Sequence, residues 1–249
     1  MTDGIDLIVD GRVAHVVLNA PARRNAFDTR MIAAFEDAIA TLDRDRTVEV
    51  AVLRAEGPAF CGGTDLKELA TFDAEDTLHW QGRAGAAMEG WRRLQAITVT
   101  AFNGPAVGSG AIIGLASDLR IAADAATLAF PEVSLGIPLT WSGIPVLTEL
   151  LGTDRTKRLL LLSETLGPAD LERLDLVAEV VAADALAAAT AALVERLLAA
   201  PALARRMTKR AVRAAAPAAS AGAYEPFLAA LAVGMRGDRG FDNPNKRRS

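Results

Sequence analysis

The run Ile97-Thr98-Val99-Thr100-Ala101-Phe102-Asn103-Gly104-Pro105-Ala106-Val107-Gly108-Ser109-Gly110 passes from a β-branched stretch directly into a glycine-rich turn, and Ala111–Leu119 beyond it carries a helical pattern. A strand that enters a helix through a glycine loop is the building unit of an α/β fold. The same order occurs upstream, where Val48–Arg54 precedes Ala59-Phe60-Cys61-Gly62-Gly63-Thr64-Asp65-Leu66 and the helical pattern Leu66–Ala70. Further out, Val13–Leu18, Leu119–Ala122 and Leu176–Val181 read as strands, most of them rich in β-branched residues. Thr29–Asp43 reads as an amphipathic helix, with Met31, Ile32, Phe35, Ile39 and Leu42 at helical spacing and Asp28 as its N-cap. Strands alternating with helices define the fold class as α/β.

After about residue 183 the texture changes. Asp184–Ala216 is rich in Ala, Leu and Arg and lacks a strand signal, and Pro201 is expected to open a second helix as its N1 residue. The expected organisation is therefore a core over 1–183 and a helical region over 184–249. The terminal GDRGFDNPNKRRS is polar and broken by Gly and Pro, which predicts fraying.

Composition narrows the chemistry. The 249 residues are 51% hydrophobic, enough for one large core, and a net charge of −4 leaves no basic footprint for nucleic acid. The single cysteine, Cys61, excludes a disulfide framework and a cysteine zinc site, and with His15 and His79 as the two histidines no metal centre is expected. The opening MTDGIDLIVDGR lacks the apolar heart of a secretory leader, and the apolar runs fall short of the roughly 18–20 residues of a membrane span. The expectation is a soluble, cytoplasmic protein.

Each glycine loop leads into a helical pattern, so each is expected to present backbone N–H groups that suit an oxyanion. Glycine spacing alone is weak evidence, and tight turns needing positive φ account for it equally well. Gly104-x-x-x-Gly108-x-Gly110 resembles the nucleotide loop of short-chain dehydrogenases, but the one tyrosine, Tyr224, has leucine four residues on where that family has lysine. Neither loop continues into a phosphate-binding Gly-Lys-Ser/Thr. Ser109 has Val107 where a hydrolase nucleophile elbow requires glycine.

Together the motifs resemble the crotonase (enoyl-CoA hydratase/isomerase) family over roughly residues 5 to 185. Val17-Leu18-Asn19-Ala20-Pro21-Ala22-Arg23-Arg24-Asn25-Ala26-Phe27 is similar to its L-N-x-P-x-x-x-N-A, Ala59–Leu66 to A-F-[CS]-A-G-A-D-L, and Asn103–Gly110 to N-G-x-A-x-G-G-G. Ser117-Asp118 is similar to the family's C/S-D pair, with Asp118 expected to be structural, and Phe130–Ile137 to F-x-x-P-E-x-x-L-G. The resemblance implies a crotonase-like spiral of ββα repeats with a helical C-terminal trimerisation region, an acyl-CoA substrate, a homotrimer or hexamer, and no cofactor beyond the coenzyme A of the substrate. It implies that the backbone N–H groups of Thr64 and Ser109 grip the thioester oxygen. It also implies that Arg24, Asn25, Ala26, Asp65, Leu66 and Lys67 form the coenzyme A side of the site. Arg23 reads equally as a ligand or as a surface cation. Acyl selectivity is expected from stretches such as Leu69–Gly85 and Leu139–Trp141.

The departures carry the functional expectation. Of the family's three acid/base positions, one holds Ile112, one Glu132 and one Thr140. Hydration of a conjugated double bond usually uses two carboxylates, whereas shifting a double bond from C3 to C2 needs one base that moves a proton from C2 to C4. The resemblance with Ile112 in place therefore implies an enoyl-CoA isomerase with Glu132 as catalytic base. A one-glutamate hydratase and a non-catalytic acyl-CoA-binding protein stay open beside it. A capping role after Pro131 is the alternative for Glu132.

Overall fold

A computed structural model describes residues 4–215. Strand β1 (Gly4–Asp10) turns back on β2 (Val13–Asn19) as an antiparallel hairpin. Strands β3 (Val50–Ala55), β4 (Ile97–Phe102), β6 (Leu119–Ala123) and β9 (Val180–Val181) then add in parallel, in the order β1-β2-β3-β4-β6-β9. A second sheet holds β5 (Ala106–Val107), β7 (Leu128–Ala129) and β8 (Thr165–Leu166). It is extended by two isolated bridges, Cys61 with Ala106 and Phe27 with Thr64. Each turn of the chain thus lays one strand in the first sheet and one extended segment in the second before returning through helix, which is the ββα spiral.

The strands suit this placement. All six residues of β4 are buried, as a parallel strand covered on both faces requires, and the hydroxyls of Thr98 and Thr100 within it are paired with Asp118 and Ser117. On one side lie α1 (Thr29–Arg44), the short α2 (Leu66–Leu69), α3 (Ala74–Arg93) and α4 (Ser109–Leu115), followed by α5 (Gly143–Leu151), α6 (Thr153–Leu161) and α7 (Pro168–Arg173). The Asp28 carboxylate accepts from the Met31 amide at 2.8 Å, capping α1 as expected. Met31, Ile32, Phe35, Ala38 and Leu42 face inward, and Phe35 meets Trp91 of α3 at 5.6 Å between ring centres. On the other face α8 (Leu186–Leu198) covers the sheet, Val194 packing with Val50, Val52 and Val99.

Several elements differ from the expectation. Leu176–Val181 yields strand only at Val180–Val181, because Leu176 and Val177 are drawn into the core instead. A 3-10 turn, Ala183–Ala185, precedes α8, so that helix opens at Leu186 rather than near Asp184. Pro201 stands one residue before α9 (Ala202–Ala215) and accepts a bond from the Arg205 amide, rather than occupying N1. The basic side of α9 is pinned to acids of the core: Arg205 to Glu49, Lys209 to Asp118 at 2.6 Å, and Arg213 to Glu89 at 2.9 Å. Its Leu203, Met207 and Val212 stay exposed. The terminal polar stretch lies outside the described residues. No single helix among those described is long and apolar enough to cross a membrane.

Candidate active site

The first family-like motif is a backbone device. A 3-10 turn at Pro21–Arg23 ends in two left-handed residues, Arg24 and Asn25, each with φ 54°. This double bend sends the Asn25 side chain inward and leaves Arg24 exposed. Asn25 Oδ1 accepts from the Ala20 amide at 2.8 Å, while Nδ2 donates toward the carbonyls of Glu56, Ala59 and Phe60 at 3.0 to 3.1 Å. The polar capacity of its side chain is thus spent on the scaffold. Ala26, half-buried, lies beside Gly62, whose amide donates to the Arg24 carbonyl at 2.7 Å.

Bridging brings the two glycine loops side by side. The Phe27 amide donates to Gly63, the Asp65 amide to Phe27, and the Val107 amide to Cys61. Gly108 donates to Ala129. In this ladder the amides of Thr64 and Ser109 donate to no acceptor among the described residues, although their neighbours are engaged. Their hydroxyls meet at 3.1 Å, which places the two residues against each other across the cleft. Thr64 is not at a helix start, as the loop reading implied. The α2 amides of Lys67 and Glu68 are already satisfied by Asp65 Oδ1, at 3.0 and 3.3 Å. Asp65 is therefore a helix cap, its carboxylate committed to these amides. Arg23 is committed as well, 2.7 Å from Asp28 Oδ2 and 3.8 Å from Asp65 Oδ2. Arg24 and Lys67 are exposed and form no ion pair among the described residues. Leu66 is half-buried and lines the pocket.

That pocket is small, about 70 Å³, and Thr64, Ser109 and Glu132 all line it. Glu132 follows Pro131, but its side chain makes no cap to the turn at Val133–Leu135, which removes the capping alternative. The carboxylate lies against Gly108, where a Cβ would stand 2.1 Å from Oε1; Gly108 also has φ +54°. Glycine is required there twice, for the backbone and for the carboxylate. Glu132 is 9% exposed, and Oε2 has no hydrogen-bond partner among the described residues. Burial without a compensating cation pushes its carboxyl up to about 7.

The other acid/base positions behave as their residue types dictate. Ile112 is fully buried in α4, against Gly143, and Thr140 lines the pocket. Asp118 accepts from both the amide and hydroxyl of Thr98, a structural role. Cys61 is buried, its thiol pushed up to about 12 by desolvation, so it is an inert core residue rather than a nucleophile. His79 is exposed, and His15 lies mid-strand, away from the pocket. Among the described residues no group of His, Cys, Asp and Glu is arranged to hold a metal. Sequence reading included Gln81 in the stretch Leu69–Gly85 without singling it out; it is a pocket residue on α3, a lone amide within a largely apolar or small helical stripe.

A bridged pair of glycine loops with two free amides and a buried glutamate in one pocket defines the class by its fold: an α/β spiral. The enoyl-CoA hydratase/isomerase family model matches residues 9–225, and the chain belongs to that family. It is 32% identical over 212 residues to a Mycobacterium bovis protein named as a probable enoyl-CoA hydratase, echA8, covering 83% of this chain and 79% of that one. It is 29% identical over 232 residues to the enoyl-CoA isomerase/hydratase fer4 of Mycosarcoma maydis, covering 87% and 85%. A Thermobifida fusca crystal structure in complex with acetoacetyl-CoA aligns with TM-score 0.78 and 33% identity over 93% of this chain and 94% of that one. The crotonase fold expected from the motifs is thus the fold observed.

Proposed function

We propose that this enzyme shifts a double bond of an acyl-CoA thioester from C3 to C2, with Glu132 as the shuttling base. One observation carries the reading: Glu132 is the sole ionisable side chain among the described residues that line the pocket. The thioester oxygen sits between the amides of Thr64 and Ser109. Glu132 removes a proton from C2, the electron pair moves onto that oxygen as an enolate, and the two amides stabilise the charge. As the pair returns, the double bond forms between C2 and C3, and Glu132 delivers the proton to C4. A buried carboxyl near 7 is a base matched to neutral pH, and the absence of a second carboxylate costs this reaction nothing.

Arg24 and Lys67, exposed cations flanking the loops, bind the phosphates of coenzyme A. The acetoacetyl-CoA complex of the Thermobifida fusca relative supports an acyl-CoA ligand at this fold. The exposed Leu203, Met207 and Val212 of α9 support assembly into a trimer or hexamer, which light scattering tests; a monomer at micromolar concentration refutes it. The reaction is tested by incubating purified protein with 2-enoyl-, 3-enoyl- and dienoyl-CoA substrates. Preferred turnover of the 3-enoyl thioester supports isomerisation, water addition to the 2-enoyl thioester supports a one-glutamate hydratase, and saturable binding without turnover supports a binding protein.

A further inference from the structure

Gln81 lies on the α3 face that also buries Thr77, Trp80, Ala84 and Met88, and its side chain reaches the wall of the Glu132 pocket. It is 4% exposed, and Oε1 is shut off from solvent with no hydrogen-bond partner. Nε2, the other end of the amide, is not sealed off in this way. A flip of the amide exchanges oxygen for nitrogen but leaves the inward atom equally unsatisfied. A leucine or methionine would fill such a site without this cost, whereas a buried amide lacking a partner is destabilising. The inward end of the amide stays unpaired, and the end that meets the pocket is open to a group that enters it.

The other polar groups of the pocket narrow what that group is. In the proposed reaction Thr64 and Ser109 hold the thioester oxygen and Glu132 faces C2 to C4, so Gln81 is left for the acyl substituent. Leu66, Leu69, Leu135, Ile137 and Pro138 make the rest of the lining, apart from Thr140, largely apolar, and the cavity of about 70 Å³ suits a short chain. We propose that Gln81 is a specificity-determining residue that selects short acyl-CoA thioesters bearing a hydrogen-bonding substituent, such as a hydroxyl, carbonyl or carboxyl group, over plain alkyl thioesters. The amide can donate and accept, so it pairs with any of the three, while a methylene in the same place leaves it unpaired. The inference rests on the proposed reaction for the orientation of the thioester.

Its test uses saturated thioesters that cannot isomerise, so that it does not depend on turnover. The protein is titrated calorimetrically with pentanoyl-CoA, its 4-hydroxy and 4-oxo derivatives, and 4-carboxybutanoyl-CoA. At least one oxygenated thioester is expected to bind about tenfold more tightly than pentanoyl-CoA. Gln81→Leu should abolish that preference, by weakening the oxygenated ligand and tightening the alkyl one, and Gln81→Met serves if the leucine variant does not fold. Affinities within twofold across the panel, or a preference that survives in a folded variant, overturn the inference. A preference in protein that turns over no enoyl-CoA leaves the inference standing and removes the proposed reaction. Failure to bind any thioester overturns both.

Discussion

Glu132→Gln should make the protein more resistant to unfolding at high pH while disabling it, and the size of the effect follows from burial. The folded carboxyl stands at about 7 against 4.5 for the free side chain. A raised folded value means that the folded chain holds its proton more tightly than the unfolded chain. Glu132 therefore penalises the fold least below pH 4.5; the penalty grows as pH rises through the window to about 7 and is constant above it. At about 1.4 kcal/mol per pKa unit, the loss across this window is roughly 3 kcal/mol, supplied by one side chain. Glutamine keeps the shape and does not titrate. Urea unfolding of both proteins at pH 4.5, 6 and 8 should show the stability of Glu132→Gln relative to wild type climbing by about 3 kcal/mol between the first and last, with unchanged m-values. Parallel curves for the two proteins would refute the claim that this carboxylate is buried without compensation.

Other substitutions probe the remaining parts of the site. Gly108→Ala drives a methyl into Glu132 Oε1 and forces alanine to a φ of +54°, so kcat/KM should fall about 100-fold in protein that still melts cooperatively. Ser109→Ala removes the hydroxyl pair with Thr64 but keeps the amide, and steady-state kinetics should stay within about tenfold of wild type. Ser109→Pro deletes the donor and should cost about 10²- to 10³-fold in kcat. Asn25→Ala strands the Ala20 amide and three carbonyls, and denaturant titration should show a loss of about 2–4 kcal/mol.

Where contrast between neighbouring residues was sharp, the sequence was legible. The β-branched run of β4 and the apolar stripe of α1 stand out from what flanks them, and so they read correctly. Helix α3 escaped notice because its buried face mixes Thr77, Gln81, Ala84 and Ala87 with two tryptophans, so that apolar periodicity is faint although burial is regular. Strand β1 escaped because it is a half-exposed edge, recognisable by its pairing with β2 and not by its own composition. In the site, the resemblance pointed to the amides of Thr64 and Ser109, and backbone donors follow the path of the chain. The scaffold bonds of the Asn25 and Asp65 side chains were not legible in this way. A polar residue in a motif looks the same whether it holds a ligand or holds the loop, and the choice depends on which amides and carbonyls tertiary contact brings to it. The Gly108–Glu132 contact joins residues from successive turns of the spiral, and nothing local encodes it.

The central claim is that a single carboxylate carries a proton from C2 to C4. Its most direct measurement uses a 3-enoyl-CoA deuterated at C2, with the product analysed by NMR and mass spectrometry. A lone buried base with one proton site predicts that deuterium reappears at C4 in the wild-type product, and that Glu132→Gln slows conversion by about 10²–10⁴. A C4 position filled entirely from solvent, or conversion undiminished in Glu132→Gln, would contradict it.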